Sequence, residues 1–179
     1  MKSCVIGIDN GVSGSICIIH NYGKVFYTPT PSFNQLSYQK EAKFFTRVDT
    51  ERLEKWFIEN IKDSDVIRCL IERPFVNPKM FNSTLSAIRA YEATIIILER
   101  LKIPYENIDS KEWQIALLPH GILGVKSKDK KERKENKKKL KQAADNIAKR
   151  LFPGFKFLES GGDGFLIAEH ARRNYMVFQ

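Results

Sequence analysis

The chain has 179 residues, 42% hydrophobic and 28% charged, which suits one globular domain with a proper core and excludes fibrous, disordered and disulfide-scaffold classes. No apolar run reaches about 18 residues, and no charged N-terminal segment leads into a signal-type apolar stretch. Neither membrane span nor secretion is therefore expected, and the reading places the protein in the cytoplasm. The net charge of +9 is concentrated, because residues 126–141 hold ten Lys or Arg against three Asp or Glu. Such a run reads either as a solvated helix face or as a strip that binds a polyanion.

Cys4 to Ile8 reads as a buried strand that runs directly into Asp9 and then into the glycine-rich turn Asn10 to Gly14. A carboxylate ending an apolar strand is held rigidly where its desolvation must be offset by a cation, hydrogen bonds or water, as in a divalent-metal ligand. Gly7, Gly11 and Gly14 are expected to let the chain turn tightly into a second strand, Ser15 to His20, followed by a turn at Asn21 to Gly23 and a third strand, Lys24 to Thr28. Pro29, Pro31 and the polar residues to Gln39 read as a loop. Asp49 or Thr50 caps a helix whose Leu53, Trp56, Phe57 and Ile61 recur at helical spacing.

Val66 to Ile71 is a second buried-strand pattern and also ends in an acid, Glu72, after which Pro74 takes the chain out of the sheet. A long helix from Asn82 or Ser83 to Leu101 carries Leu85, Ile88, Tyr91, Ile95, Ile96 and Leu98 on a wide apolar face. Ile103 to Ile108 suits an edge strand, and Asp109 to Trp113 a polar turn into a short helix. Residues Leu117 to Gly124 carry loop signals ahead of the basic run. Leu140, Ala143, Ala144, Ile147, Ala148, Leu151 and Phe152 then form a regular helical stripe, so the neighbouring lysines face away from the core. Asp163 stands at the start of a last helix, where a carboxylate is also explained by capping alone. Cys4, Cys17 and Cys69 lie in apolar runs and read as reduced core residues.

The expected architecture is a single α/β domain over residues 1–179 of ribonuclease H-like order. Its five-stranded mixed sheet has strands 1–3 antiparallel, strands 4 and 5 parallel to strand 1, and helices alongside. Asp9 and Glu72 then end adjacent strands about 4.8 Å apart, and Asp163 can complete a cluster whose ionised acids require cations. Hard oxygen ligands select Mg2+ or Mn2+.

Three segments in this order resemble the motifs of the RuvC-like Holliday junction resolvases, especially the phage-type and organelle-type branch. They are Gly7-Ile8-Asp9-Asn10-Gly11, Ile71-Glu72-Arg73-Pro74-Phe75, and the stretch from Asp163 to Arg173 that begins Asp163-Gly164-Phe165. Lys111-Glu112-Trp113 and Leu151-Phe152-Pro153 are similar to further segments of that branch. The chain departs from the pattern at Asn10, where the family has Pro, and at Gly164, where it has Ala. The fourth acid falls on Glu159, four residues before Asp163, with Glu169 as its substitute; Ser160 takes the place of an acid under the bacterial spacing.

The resemblance implies a homodimeric endonuclease of DNA recombination and repair that resolves four-way junctions, each subunit nicking one strand. It implies two Mg2+ ions per site, replaceable by Mn2+ and held by Asp9, Glu72, Asp163 and Glu159, with products ending in 5′-phosphate and 3′-hydroxyl. Lys137, Lys138, Lys139, Arg172 and Arg173 would neutralise backbone phosphates, and Phe75 would reach bases near the junction centre. His170 reads as a surface histidine or, two turns from Asp163, as a neighbour of the scissile phosphate. Alternatives left open are another branched-DNA or ribonuclease H-like nuclease, an actin or sugar-kinase type of ATPase, and a non-catalytic nucleic-acid-binding module.

Overall fold

Side-chain alternation sets the two faces of the sheet. Along β1 (Ser3–Asp9), Cys4, Ile6 and Ile8 enter one core and Val5 the other, while β2 (Ser15–His20) sends Ile16 and Ile18 one way and Cys17 and Ile19 the opposite way. Both strands are thus covered on both faces, which is why they read as continuous apolar runs. The structure, a computed structural model, describes residues 1–37, 44–119, 129–153 and 162–176.

After β3 (Val25–Pro29) come β4 (Ser32–Leu36), β5 (Phe44–Val48), α1 (Thr50–Ile61), β6 (Val66–Glu72), α2 (Phe81–Arg100), β7 (Tyr105–Ile108), α3 (Ser110–Leu117), α4 (Lys130–Leu151) and α5 (Gly162–Tyr175). The main sheet has the order β3-β2-β1-β6-β7. Strands β1, β2 and β3 run antiparallel in succession, whereas β6 and β7 lie parallel to β1. One face is covered by α1 and α2 through Leu53, Phe57, Ala90, Ile97 and Leu98. The other is covered by α3, α4 and α5 through Trp113, Ala144, Ile147, Ala148 and the apolar residues of α5. The three cysteines are buried and unpaired. Among the described residues no helix is long and apolar enough to cross a membrane.

The structure corrects the sequence reading in three places. The stretch after Pro29 is not a plain loop: β4 and β5 pair antiparallel in a separate two-stranded sheet, so the last two strands of the main sheet are the sixth and seventh in the chain. Phe33, Leu36 and Phe44 are exposed there, and the hairpin therefore lacks the one-sided burial that makes a strand legible. On α2, Ile96 is 51% exposed and Ile88 37%, while Ala90 and Thr94 are buried, so the packed stripe is rotated from the one expected. Finally, α4 begins at Lys130, well before its apolar stripe, because the Asp129 carboxylate accepts from the amides of Lys131 and Glu132 and caps a run of good helix formers.

Candidate active site

Parallel pairing brings the two strand-end acids together. Ile8 is in register with Ile71, so Asp9 and Glu72 follow at the same end of adjacent strands. The third acid arrives on α5, which lies across β1, β2 and β6. That approach depends on two missing side chains. A Cβ on Gly7 would run into the backbone of Ala168 and Gly164, and one on Gly164 would meet the Ser15 carbonyl. Gly7 therefore serves helix-on-sheet contact rather than the turn expected of it, and Gly164 stands where alanine would not fit. The turn itself closes with the Gly14 amide donating to the Gly11 carbonyl at 3.0 Å. Ser15 Oγ accepts from the Gly164 amide at 3.2 Å, fixing the first turn of α5 and with it Asp163.

The electrostatics fit a cluster short of positive charge. Burial pushes the Asp9 carboxyl well above the usual carboxylate range, and Asp163 and Glu72 add to the rise against a lowering contribution from Lys141. Glu72 is raised to about 7, first by burial and then by Asp163; Trp113 opposes the shift and Asp109 adds to it. Asp163 is raised by burial and by Asp145, again against Lys141. Trp113 is 1% exposed, and its indole N–H is directed at Glu72 without reaching full hydrogen-bond geometry, which leaves Nε1 unpartnered. Asn10 donates from Nδ2 to the Ala87 carbonyl at 3.2 Å, and its Oδ1 is likewise buried and unpartnered.

Among the described residues no three Asp, Glu, His or Cys side chains converge on one point as a ready metal cage. The donor set nonetheless suits a hard divalent cation. Asp9, Glu72 and Asp163 offer carboxylate oxygens that form no ion pair among the described residues, and their raised pKa values express a shortage of positive charge that a cation would supply.

Other expected site residues lie elsewhere or are engaged otherwise. Glu159 falls outside the described residues. Glu169 is not a spare ligand: it is fully buried and accepts from Arg172 Nε and Nη2 at 2.6 and 2.8 Å and from Arg173 Nε at 2.9 Å. Burial pushes its carboxyl up, but the two guanidinium groups outweigh this and hold it below the ordinary range. Arg172 and Arg173, expected at phosphates, thus close an internal ion-pair network. His170 is half-buried and contacts Asn174; burial lowers its pKa, with Glu112 opposing and Arg173 reinforcing the shift. Lys138 and Lys139 are exposed on α4, Lys139 pairing with Glu135 at 2.9 Å, while the Lys137 side chain is outside the described set. Phe75 is 76% exposed, so it is not packed under the following loop. That loop is fixed to α2 by Asn77, whose amide donates to Thr84 Oγ1 at 3.0 Å while its carbonyl accepts from the same hydroxyl. Val76, Met80 and Phe81 are exposed beside Phe75 in the sequence.

The sequence reading assigned no place near the acids to Lys141 or Asp145, whose charges act on them. Lys141 and Asp145 stand four residues apart on α4, at the margin of its apolar stripe, a spacing that puts them on one face. They were hidden in a segment read only for its stripe and its surplus of lysines.

Comparison with known proteins supports the architecture. No protein-family model matches the chain, and no curated protein matches it at the sequence level. Among solved structures, Thermus thermophilus RuvC in complex with Holliday junction substrate is similar over 92% of this chain and 90% of that one, with a TM-score of 0.51 and 13% identity. A second Thermus thermophilus RuvC structure covers 95% of each chain at a TM-score of 0.47 and 11% identity. Fowlpox virus resolvase, in a complex with substrate Holliday junction DNA, covers 94% of this chain and 98% of its own at 0.36 and 7%. The first of these shows that the chain has a RuvC-like fold.

Proposed function

We propose that this chain, with its RuvC-like fold, is a divalent-metal-dependent endonuclease that cuts four-way DNA junctions as a homodimer, each subunit nicking one strand. The observation that carries the reading is the meeting of three carboxylates without ion-pair partners, Asp9 and Glu72 from adjacent parallel strands and Asp163 from the first turn of α5, in a fold shared with a protein solved on a Holliday junction. Asp9 stands centrally, since both other acids act on it, and Glu72 and Asp163 flank it as ligands for Mg2+ or Mn2+; Glu159 stays a candidate fourth ligand from the sequence. Bound there, such cations supply Lewis-acid activation of a water and neutralise charge on the scissile phosphate. Attack of that water on phosphorus would break the P–O3′ bond, the 3′ oxygen leaving with a proton, and so give 5′-phosphate and 3′-hydroxyl ends.

The chain's own residues supply the rest. The Trp113 indole, directed at Glu72 from α3, favours the ionised carboxylate, and Lys141 brings positive charge to Asp9 and Asp163 from α4. The lysines of α4 neutralise DNA backbone charge without reading sequence, with Arg172 and Arg173 as secondary candidates. Phe75, on a loop pinned to α2, offers an exposed ring to an unstacked base at the junction centre. The test is to incubate end-labelled four-way junctions and matched linear duplexes with the protein, with and without Mg2+, and to map the ends. Paired, metal-dependent nicks in junctions leaving ligatable 5′-phosphates are expected. Binding without cleavage in Mg2+ and in Mn2+ would overturn the proposal in favour of a non-catalytic binding module.

A further inference from the structure

The turn that follows Asp9 is held from two directions. β1 ends at Asp9, paired with Ser15, and the chain then leaves the ladder for Asn10 to Gly14. At the far end Gly14 packs so closely on the Asp9 carbonyl that a Cβ there would strike it. Its own carbonyl accepts from the Thr30 amide at 3.0 Å, which ties that end to the chain beyond β3. At the near end the tie is a side chain: Asn10 Nδ2 donates to the Ala87 carbonyl of α2 at 3.2 Å, across 77 residues of sequence. Chemistry fixes the orientation of this amide, because a carbonyl only accepts and must face the NH2 group. Oδ1 is thereby left buried and without a partner. Gly11, the next residue, sits at φ +141°, a conformation open chiefly to glycine. The Asn10 side chain is thus placed between the rigid end of β1 and the residue with the most backbone freedom in the turn.

We propose that Asn10 is a positioning residue of the candidate active site: its bond to the Ala87 carbonyl fixes the start of the turn against α2 and so holds the Asp9 carboxylate in place for a divalent cation. The assignment rests on the nuclease reading above and deepens it by naming a side chain that acts on the site through Asp9. Two observations separate this role from plain structural support. α2 is already seated on the sheet through Ala90, Ile97 and Leu98, each buried in the core, so the bond restrains the turn more than the helix. A buried acceptor without a donor also destabilises the fold, and alanine or glycine at position 10 would avoid that loss. A side chain that breaks a local rule of stability in this way is expected at functional sites. The same helix carries Thr84, whose hydroxyl holds the Asn77 backbone in the loop of Phe75. The turn after Asp9 and the loop bearing Phe75 therefore share one rigid support.

Asn10→Ala should weaken Mn2+ binding to the DNA-free protein, measured by calorimetry, by about tenfold to a hundredfold. It should shrink the Mn2+-induced rise in melting temperature accordingly. The melting temperature of the EDTA-treated variant should stay close to that of wild type, because the lost hydrogen bond is set against removal of the orphan oxygen. On junctions, kcat at a fixed sub-saturating Mn2+ concentration should fall, while the junction Kd in EDTA stays at the wild-type value, since no phosphate-binding group is removed. A purely structural tie predicts the reverse: a melting temperature lowered by several degrees in EDTA, with Mn2+ affinity unchanged when it is measured well below both transitions. That pattern, or failure of Asn10→Ala to fold, would overturn the assignment. Asp9→Asn is the control for the underlying reading and should lose Mn2+ binding. Wild-type Mn2+ affinity in Asn10→Ala, with Asp9→Asn defective, would overturn this assignment alone. Absence of Mn2+ binding by the wild-type protein would overturn the metal reading and this proposal together.

Discussion

Removing one charge from the acid cluster should make the metal-free protein more stable, not less. Glu72 is raised from 4.5 to about 7 by burial and then by Asp163, so the folded state holds its proton to higher pH than the unfolded chain does. The sign follows: stability is highest below about pH 4.5 and is lost as pH rises to about 7. At about 1.4 kcal/mol per pH unit, this carboxyl alone costs the folded state about 3 kcal/mol by pH 8, an upper figure because the group is partly open to solvent. Asp9 and Asp163 shift in the same direction and add to the fall. The assay is urea denaturation of EDTA-treated protein at pH 5 and pH 8, comparing wild type with Glu72→Gln. Wild type should weaken between the two, whereas Glu72→Gln should weaken much less and exceed wild type at pH 8. Adding Mg2+ at pH 8 should recover stability for wild type more than for the variant. Wild-type stability that is flat or rises over this interval, or an unchanged pH dependence in Glu72→Gln, would refute the picture of a cation-starved cluster.

Phe75→Ala should leave the melting temperature nearly unchanged, because the ring is 76% exposed, and should reduce junction cleavage through loss of a stacking contribution of about 1–3 kcal/mol; wild-type cleavage rates would remove the ring from the DNA interface. Charge reversal at Lys137, Lys138 and Lys139 should weaken binding to junction and duplex alike and flatten the plot of log K against log salt by about 0.9 per lost phosphate contact, whereas an unchanged slope would mark these lysines as a solvated face. Gly7→Ala should destabilise the fold by about 1–3 kcal/mol or more, since the added methyl meets the backbone of Ala168 rather than a movable side chain. A fully stable Gly7→Ala variant would contradict the close seating of α5 on β1.

The main sheet was legible because its strands are buried on both faces and end in punctuation that physics makes distinctive. The runs into Asp9 and Glu72, the Asn21 to Gly23 turn and the Asp49 cap each leave one local solution. The β4–β5 hairpin was not legible, for its residues alternate weakly and remain exposed, and no one-sided core selects its register. Asp9, Glu72 and Asp163 stand out as candidates because each sits at an element boundary. Asp145 sits in the interior of α4, where an acid among lysines looks like ordinary surface chemistry; only packing of Gly162 on that helix sets it against the start of α5. Glu169 failed as a substitute ligand for a reason no spacing shows, since the two arginines that follow it fold back onto its carboxylate. Gly7 was assigned to a turn because glycine signals freedom, yet here its value is the absence of a side chain under a crossing helix.

If the cluster around Asp9 cuts four-way junctions, removing one of its carboxylates should abolish cleavage and spare binding. Wild type and Asp9→Asn are assayed on the same labelled junction in Mg2+, with binding measured by gel shift and cleavage by denaturing gel. Wild type should nick the junction, and Asp9→Asn should bind it with similar affinity while leaving it uncut, because the substitution removes a carboxylate and no phosphate-binding cation. Cleavage by Asp9→Asn at the wild-type rate would contradict the account.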